Sequence, residues 1–215
     1  MMSTLAVTTP ATSLALLTPA ELREAAGVSD NSQDAKLAAL GLRIAAAITA
    51  ECGVAVGAGA APTLRRETLT QTMRCVGAKQ IELARRHEVS ITSVVADLET
   101  LTTDDYVVDP ESGLLTRLSS DLPINWCANK VTVVYAAGFD EVPPDLKMAA
   151  MDFVRLAWAE SRRDPALRGE VVDIPDVRRV EKTWWVGSVP GSSHEGAVPD
   201  IVAGQLARFR NLVFA

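Results

Sequence analysis

Apolar positions repeat every three to four residues towards both ends of the chain and roughly every second residue in its middle, and these two periods predict its elements. Between Gln33 and Cys52, Leu37, Leu40, Ile44 and Ile48 fall on one stripe of a helix, and Gly53 supplies the stop. A shorter helix precedes it: Thr18 can cap, Pro19 suits the first helical position, Glu21 can complete a capping box and Gly27 ends the run. The strongest helical pattern runs from Pro143-Pro144-Asp145 to Arg163. Leu146, Ala149, Ala150, Phe153 and Ala157 line one face, and Met151, Val154 and Trp158 an adjacent one. This arc is wider than a surface helix needs, so burial on two sides is expected, against the chain's own core and against a neighbouring subunit. Arg162 and Arg163 suit the negative end of the helix dipole, and Asp164-Pro165 stops the helix.

The middle of the chain reads as strands. Residues 63–76 alternate loosely and are rich in Thr, and 89–95 are β-branched. Tyr106–Val108, a turn over 109–113 and Leu114–Leu118 form a hairpin pattern, and Val131–Tyr135 is the more apolar, better buried strand. Residues 54–62 are a linker of small residues, and 1–17 an extended, flexible N-terminal arm. Residues 168–197 form an excursion, with strands at 171–174 and 178–186 and a Gly/Ser-rich loop at 187–196. The last segment, 198–215, carries a short helix with Ile201, Val202, Leu206 and Phe209 on one face, followed by Leu212, Val213 and Phe214. An end this apolar calls for a docking surface, so these seven residues are the docking candidates. The fold class expected is α+β: a helical core made of the helix pair 18–53, the long helix 143–165 and the C-terminal helix, with a small antiparallel β insertion at 63–136.

Composition narrows the function. Hydrophobic residues make up 48% of the 215, enough for a buried core, while aromatics are only 5%, which favours close helix packing over a large aromatic pocket. The net charge of −6 and the lack of a basic stripe argue against affinity for nucleic acid phosphates. An acidic surface does allow DNA to pass without being held. Cys52, Cys75 and Cys127 are odd in number and widely spaced, so neither a disulfide framework nor a zinc site is expected. No Lys or Arg precedes Arg23, so residues 1–17 lack the basic region of a secretory signal, and no apolar run approaches a membrane span.

Patterns that could carry chemistry have simpler readings. Ser193, His194 and Glu195 adjoin in a Gly/Ser-rich loop, whereas a nucleophile elbow needs a strand-to-helix turn and a base from elsewhere in the fold. Gly57-Ala58-Gly59 follows a helix and precedes Pro62, the wrong context for a dinucleotide fingerprint. His87 and His194 have no Cys or His at ligand spacing, and Asp104, Asp105, Asp109 and Glu111 lack the order of a calcium loop. Trp184 and Trp185, beside Arg178, Arg179 and Lys182, could stack on bases but suit a protein interface better. With Met151, Val154 and Trp158 they make the candidate subunit interface. No catalytic residue, metal or cofactor is expected.

Several segments together resemble one family. Val131–Phe139, then Val142-Pro143-Pro144-Asp145-Leu146-Lys147, then the long helix ending Arg162-Arg163-Asp164-Pro165, are similar to the signature region of phage head–tail connector proteins. These are the adaptor or head completion proteins of tailed phages and of gene transfer agents. Asp104–Arg117 resembles the family's upstream hairpin, Leu16–Leu22 with the following helix its N-terminal helix pair, and Val198–Arg210 its closing helix. The Gly/Ala-rich 54–62 and the long 168–197 depart from the pattern. The resemblance implies a ring, commonly twelve-fold, beneath the portal. Its partners would be the portal protein, further copies of itself and the next neck or tail protein (a stopper), with DNA passing through and no membrane. It places the docking residues on the portal. A stopper or tail terminator is the alternative role, and a small hydrolase using Ser193 and His194 the remote one.

Overall fold

The computed structural model describes residues 2–162, 169–174, 178–183 and 198–211, with backbone only for Cys75, 169–174 and 178–183. The chain opens with strand β1 (Met2–Thr9), followed by helices α1 (Pro19–Ala26) and α2 (Asp34–Glu51). Next come β2 (Glu67–Ala78), β3 (Gln80–Glu82), β4 (Ser90–Ala96), β5 (Glu99–Leu101), β6 (Tyr106–Val108), β7 (Leu114–Ser119), β8 (Leu122–Ile124) and β9 (Trp126–Ala137). Helix α3 (Pro144–Ser161), the antiparallel pair β10 (Gly169–Ile174) and β11 (Arg178–Thr183), helix α4 (Asp200–Gln205) and a 3₁₀ turn (Ala207–Phe209) complete it.

Local chemistry places the helices where the pattern puts them. Thr18 caps α1 through the Glu21 amide, and the Glu21 carboxylate returns a bond to the Thr18 amide at 2.7 Å. Gly27 ends α1 in the left-handed conformation with φ 65°. Helix α3 starts at Pro144, whose missing N–H costs nothing at a helix N-terminus.

The strands are more extensive than a small insertion. A five-stranded antiparallel sheet runs β1-β2-β9-β4-β5, and a second joins β3, β7 and β6, with β8 also on β7. The twelve-residue β2 and β9 pair from Glu67↔Ala137 to Ala78↔Trp126. Leu69 and Met73 on β2, and Val131, Val133 and Tyr135 on β9, point inward with the period of two that a half-buried sheet requires. At the far end Trp126 is fully buried and donates its indole N–H to the Leu115 carbonyl of β7 at 3.2 Å, tying the two sheets together.

Two expectations are corrected here. Residues 2–9 are not a free arm but an edge strand, paired with β2 from Met2↔Arg74 to Thr9↔Thr68. The linker explains how that edge is covered: Ala58 accepts from the Val7 N–H at 2.8 Å and donates its own N–H to the Leu5 carbonyl at 2.9 Å. A Cβ on Gly57 would lie 3.2 Å from Val7, so small residues at 57–59 allow this approach, which blunts an otherwise open edge. Second, the chain does not have one helical core with a β appendage. Leu69, Met73, Ile81, Leu115, Trp126 and Tyr135 belong to a core within the sheets, while Leu37, Ile48, Leu146, Ala149, Val154 and Phe209 belong to a separate one among the helices and their loops. The three-residue strands β3, β5 and β8 were invisible to periodicity, because a period of two cannot be read from three positions.

Candidate functional site

Where the two cores meet, the chain buries polar groups. Helices and strands make little direct contact with each other, so the seam is built from loops. Its centre is the segment 84–88, between β3 and β4. His87 and Glu88 both have positive φ, 68° and 49°, a costly conformation for residues with a Cβ. Gly138 faces them across the seam with φ 95° and donates its N–H to the His87 carbonyl at 2.9 Å.

Arg85 runs inward and is 4% exposed. Its Nη1 donates to the Thr63 carbonyl at 2.8 Å and lies 3.2 Å from the Glu67 carboxylate, itself buried. Burial pushes the Glu67 carboxyl up and the Arg85 guanidinium down; their mutual attraction offsets this only in part. Tyr135 completes the network. Its hydroxyl accepts from the Arg85 amide at 3.3 Å and donates to Gln71 Oε1 at 3.2 Å, while the Ala84 amide reaches the same oxygen at 2.8 Å. Burial raises the Tyr135 hydroxyl pKa well above its ordinary value. The network holds segment 84–88 on the sheet. It contains no nucleophile paired with a base, so its role is positioning.

On the helical side, His87 stacks on Phe139 with ring centroids 5.1 Å apart, and Phe209 closes edge-on at 5.9 Å from His87 and 5.8 Å from Phe139. His87 Nε2 lies within hydrogen-bond distance of the Phe209 carbonyl at 3.3 Å, and Nδ1 faces the Glu111 carboxylate at 3.5 Å.

The docking candidates divide. Val202, Leu206 and Phe209 are fully buried in the chain's own core, and Ile201 is 68% exposed. The first three therefore stabilise this subunit, a correction to their reading as portal contacts: one apolar stripe can serve one surface, and the helical core occupies it. Val154 is likewise fully buried within the subunit, which corrects its placement at a subunit interface. Met151 and Trp158 are half-buried. Met151 lines an open groove of about 550 Å³ along α3 with Val142, Pro144, Met148 and Arg155. Trp158 lines a cleft of about 780 Å³ beside Leu40, with Lys36, Arg43 and Arg162 around it. Trp184, Trp185, Leu212, Val213 and Phe214, like the Ser193-His194 pair, lie outside the described residues.

The acidic turn residues build turns. Asp109 accepts from the Glu111 amide at 3.1 Å and the Ser112 hydroxyl at 2.6 Å, and Asp105 accepts from the Thr102 amide and hydroxyl. Among the described residues no three His, Cys, Asp or Glu side chains are grouped to hold a metal ion, and no helix is long and apolar enough to cross a membrane. Sequence reading missed Glu67, Arg85 and the 84–88 segment; the run Arg85-Arg86-His87 was their one visible trace, and a charge run ordinarily means a solvated surface.

The fold is α+β, and the grooves along α3 and beside Trp158 are open surfaces. No family model and no curated protein matches the chain. Solved structures do. A chain of the neck of an empty gene transfer agent (GTA) particle, computed with C6 symmetry, is 19% identical with a TM-score of 0.54; the match covers 100% of this chain and 98% of that one. A chain of the neck of a native GTA particle, computed with C12 symmetry, is 17% identical with a TM-score of 0.51, again over 100% and 98%. At these identities the likeness is one of fold, and it extends from end to end of the chain.

Proposed function

We propose that this chain is a structural neck protein of a tailed phage or gene transfer particle: an adaptor that forms a ring, twelve-fold by the family resemblance, beneath the portal and joins the head to the next neck or tail protein. The observation that carries this reading is the end-to-end fold match to chains of GTA necks computed with six- and twelve-fold symmetry. The order of sequence features similar to head–tail connectors supports it. Function then comes from protein contact and needs no catalytic residue. The portal contact falls to Ile201 and to Leu212, Val213 and Phe214. The contact between subunits falls to Met151, Trp158, Trp184 and Trp185. The net charge of −6 suits a conduit through which DNA slides without being held.

The test is to mix the purified chain with assembled portal from the same gene cluster and image the product by electron microscopy. An added ring at the portal's outer end is the expected result. Binding to tail-tube protein and not to portal would transfer the chain to the stopper or terminator role. Binding to neither, with all partners folded, would overturn the neck reading.

A further inference from the structure

The seam carries a second feature, independent of the neck reading. The chain passes between the two cores at residues 10–18, 52–66 and 138–143, and among the described residues no helix packs broadly on any strand. The residues that bridge the seam from a fourth direction are Phe209, Arg210 and Asn211. Arg86 Nη1 donates to the Arg210 carbonyl at 2.9 Å, and His87 Nε2 lies 3.3 Å from the Phe209 carbonyl. Both side chains belong to the sheet side. On the helical side, the Asn211 amide donates to the Cys52 carbonyl at 2.7 Å, and the Arg210 guanidinium pairs with Glu51, the last residue of α2. The Asn211 side-chain amide touches both sides, reaching the Gly53 carbonyl at 3.2 Å and the Ala84 carbonyl at 3.5 Å.

We infer that Arg210 and Asn211, anchored at the buried Phe209, are a releasable latch that fixes the sheet unit relative to the helical unit. Two properties distinguish it from a further piece of core. Apart from the Phe209 ring and the Arg210–Glu51 pair, its contacts end on main-chain carbonyls, so opening it exposes groups that water can satisfy. Arg210 and Asn211 are half-buried, and neither belongs to either hydrophobic core. With the latch closed, three connections and a strap define the angle between the units. With it open, the three connections remain with the Gly138–His87 bond, the His87–Phe139 stack and the Arg85–Thr63 bond, and two of the connections contain glycines with positive φ, Gly53 and Gly59 in one and Gly138 in the other. A partner that pulled on the chain beyond Asn211 would act directly on this joint.

The test uses the full chain and the double variant Arg86→Ala/Asn211→Ala, with Asn211→Ala alone as the milder form. Nitroxide labels are carried on ketone side chains at positions 46 and 98, both exposed, so that the native cysteines stay in place. Electron–electron resonance gives the distance distribution between the units, and hydrogen exchange gives the protection of each. The expected result is a broadened distribution in the double variant and a smaller broadening in the single one. The Asn211 amide (for the variants, the amide at that position) should exchange at least about tenfold faster, while β9 and α3 keep their protection. An unchanged distribution with fast exchange at 211 would overturn the inference, because the strap would be open and the units still fixed. Unchanged protection at 211 would overturn it as well. So would lost protection in β9 and α3, since the strap would then be part of the cores.

Discussion

Replacing Phe209 by Ala tests where the C-terminal segment belongs. The ring is fully buried, meets His87 and Phe139 within 6 Å between centroids, and packs with Val202 and Leu206 in the helical core. Truncating a buried Phe costs about 3–5 kcal/mol, from lost transfer energy and the cavity left behind. Collapse into that cavity is hindered, because segment 84–88 is held by the Arg85–Tyr135–Gln71 network and Gly138 by its bond to His87. The loss should therefore fall in the upper part of the range and consume a large fraction of the roughly 5–15 kcal/mol that stabilises a typical domain. Urea unfolding followed by circular dichroism and by tryptophan fluorescence measures it. Fluorescence sums the four tryptophans while circular dichroism follows the helices and strands together, so coincident transitions would show the cores unfolding together. The control is Ile201→Ala on the exposed side of the preceding helix α4, expected within about 0.5 kcal/mol of the parent. A cost below about 1 kcal/mol for Phe209→Ala would refute the placement of this segment in the subunit core.

Four further outcomes follow from the geometry. Gly138→Ala should destabilise strongly, by about 2 kcal/mol or more, because φ is 95° and the new Cβ would lie 2.6 Å from the Arg65 carbonyl; thermal unfolding reads the loss. Arg85→Met should cost about 3–5 kcal/mol by stranding Glu67, whereas Glu67→Leu/Arg85→Met should recover most of it in a double-mutant cycle. Glu21 feels an upward push from burial, but Lys147 at 2.8 Å and the two Thr18 bonds hold its carboxyl below the ordinary glutamate value. Its contribution is therefore full above that value and lost as the pH falls through the lowered one, so the gap of about 1 kcal/mol between the parent and Glu21→Gln should close under acid conditions. Burial, reinforced by Glu51, pushes the Cys52 thiol up to about 12, so alkylation at neutral pH with peptide mapping should modify the exposed Cys127 and spare Cys52.

Much of the architecture was legible because its signals are short-range. Thr18-Pro19-Ala20-Glu21 specifies a capped helix start within four residues, and Gly27 its end. Tyr106–Val108 and the strand from Leu114 were read within a residue of their bounds, since Asp109 and Ser112 carry the turn's hydrogen bonds and Gly113 its φ of 70°. The likeness to neck proteins was also visible, in the order of such segments. The candidate site was not. Glu67, Gln71, Arg85 and Tyr135 form one network, yet Tyr135 lies 64 residues from Gln71 and 50 from Arg85. Each alone reads as an ordinary polar or aromatic residue on a strand or loop.

The sequence by itself therefore determined which segments are helical, where α1, α2 and α3 start and stop, and where the apolar stripes lie. Those properties depend on backbone torsions and on residues three or four positions apart. Only the tertiary structure decided what each apolar stripe is buried against. Val154, Val202, Leu206 and Phe209 look the same in sequence whether they face a core or a neighbour, because the hydrophobic effect has no direction and rewards removal from water by either surface. The fold resolved this by bringing α4 onto α3 and the 3₁₀ turn onto His87 and Phe139, leaving Ile201 and Met148 towards solvent. It likewise gave the N-terminal strand a partner distant in sequence, from Met2↔Arg74 to Thr9↔Thr68. That choice depends on which edge is free once β2 and β9 have paired.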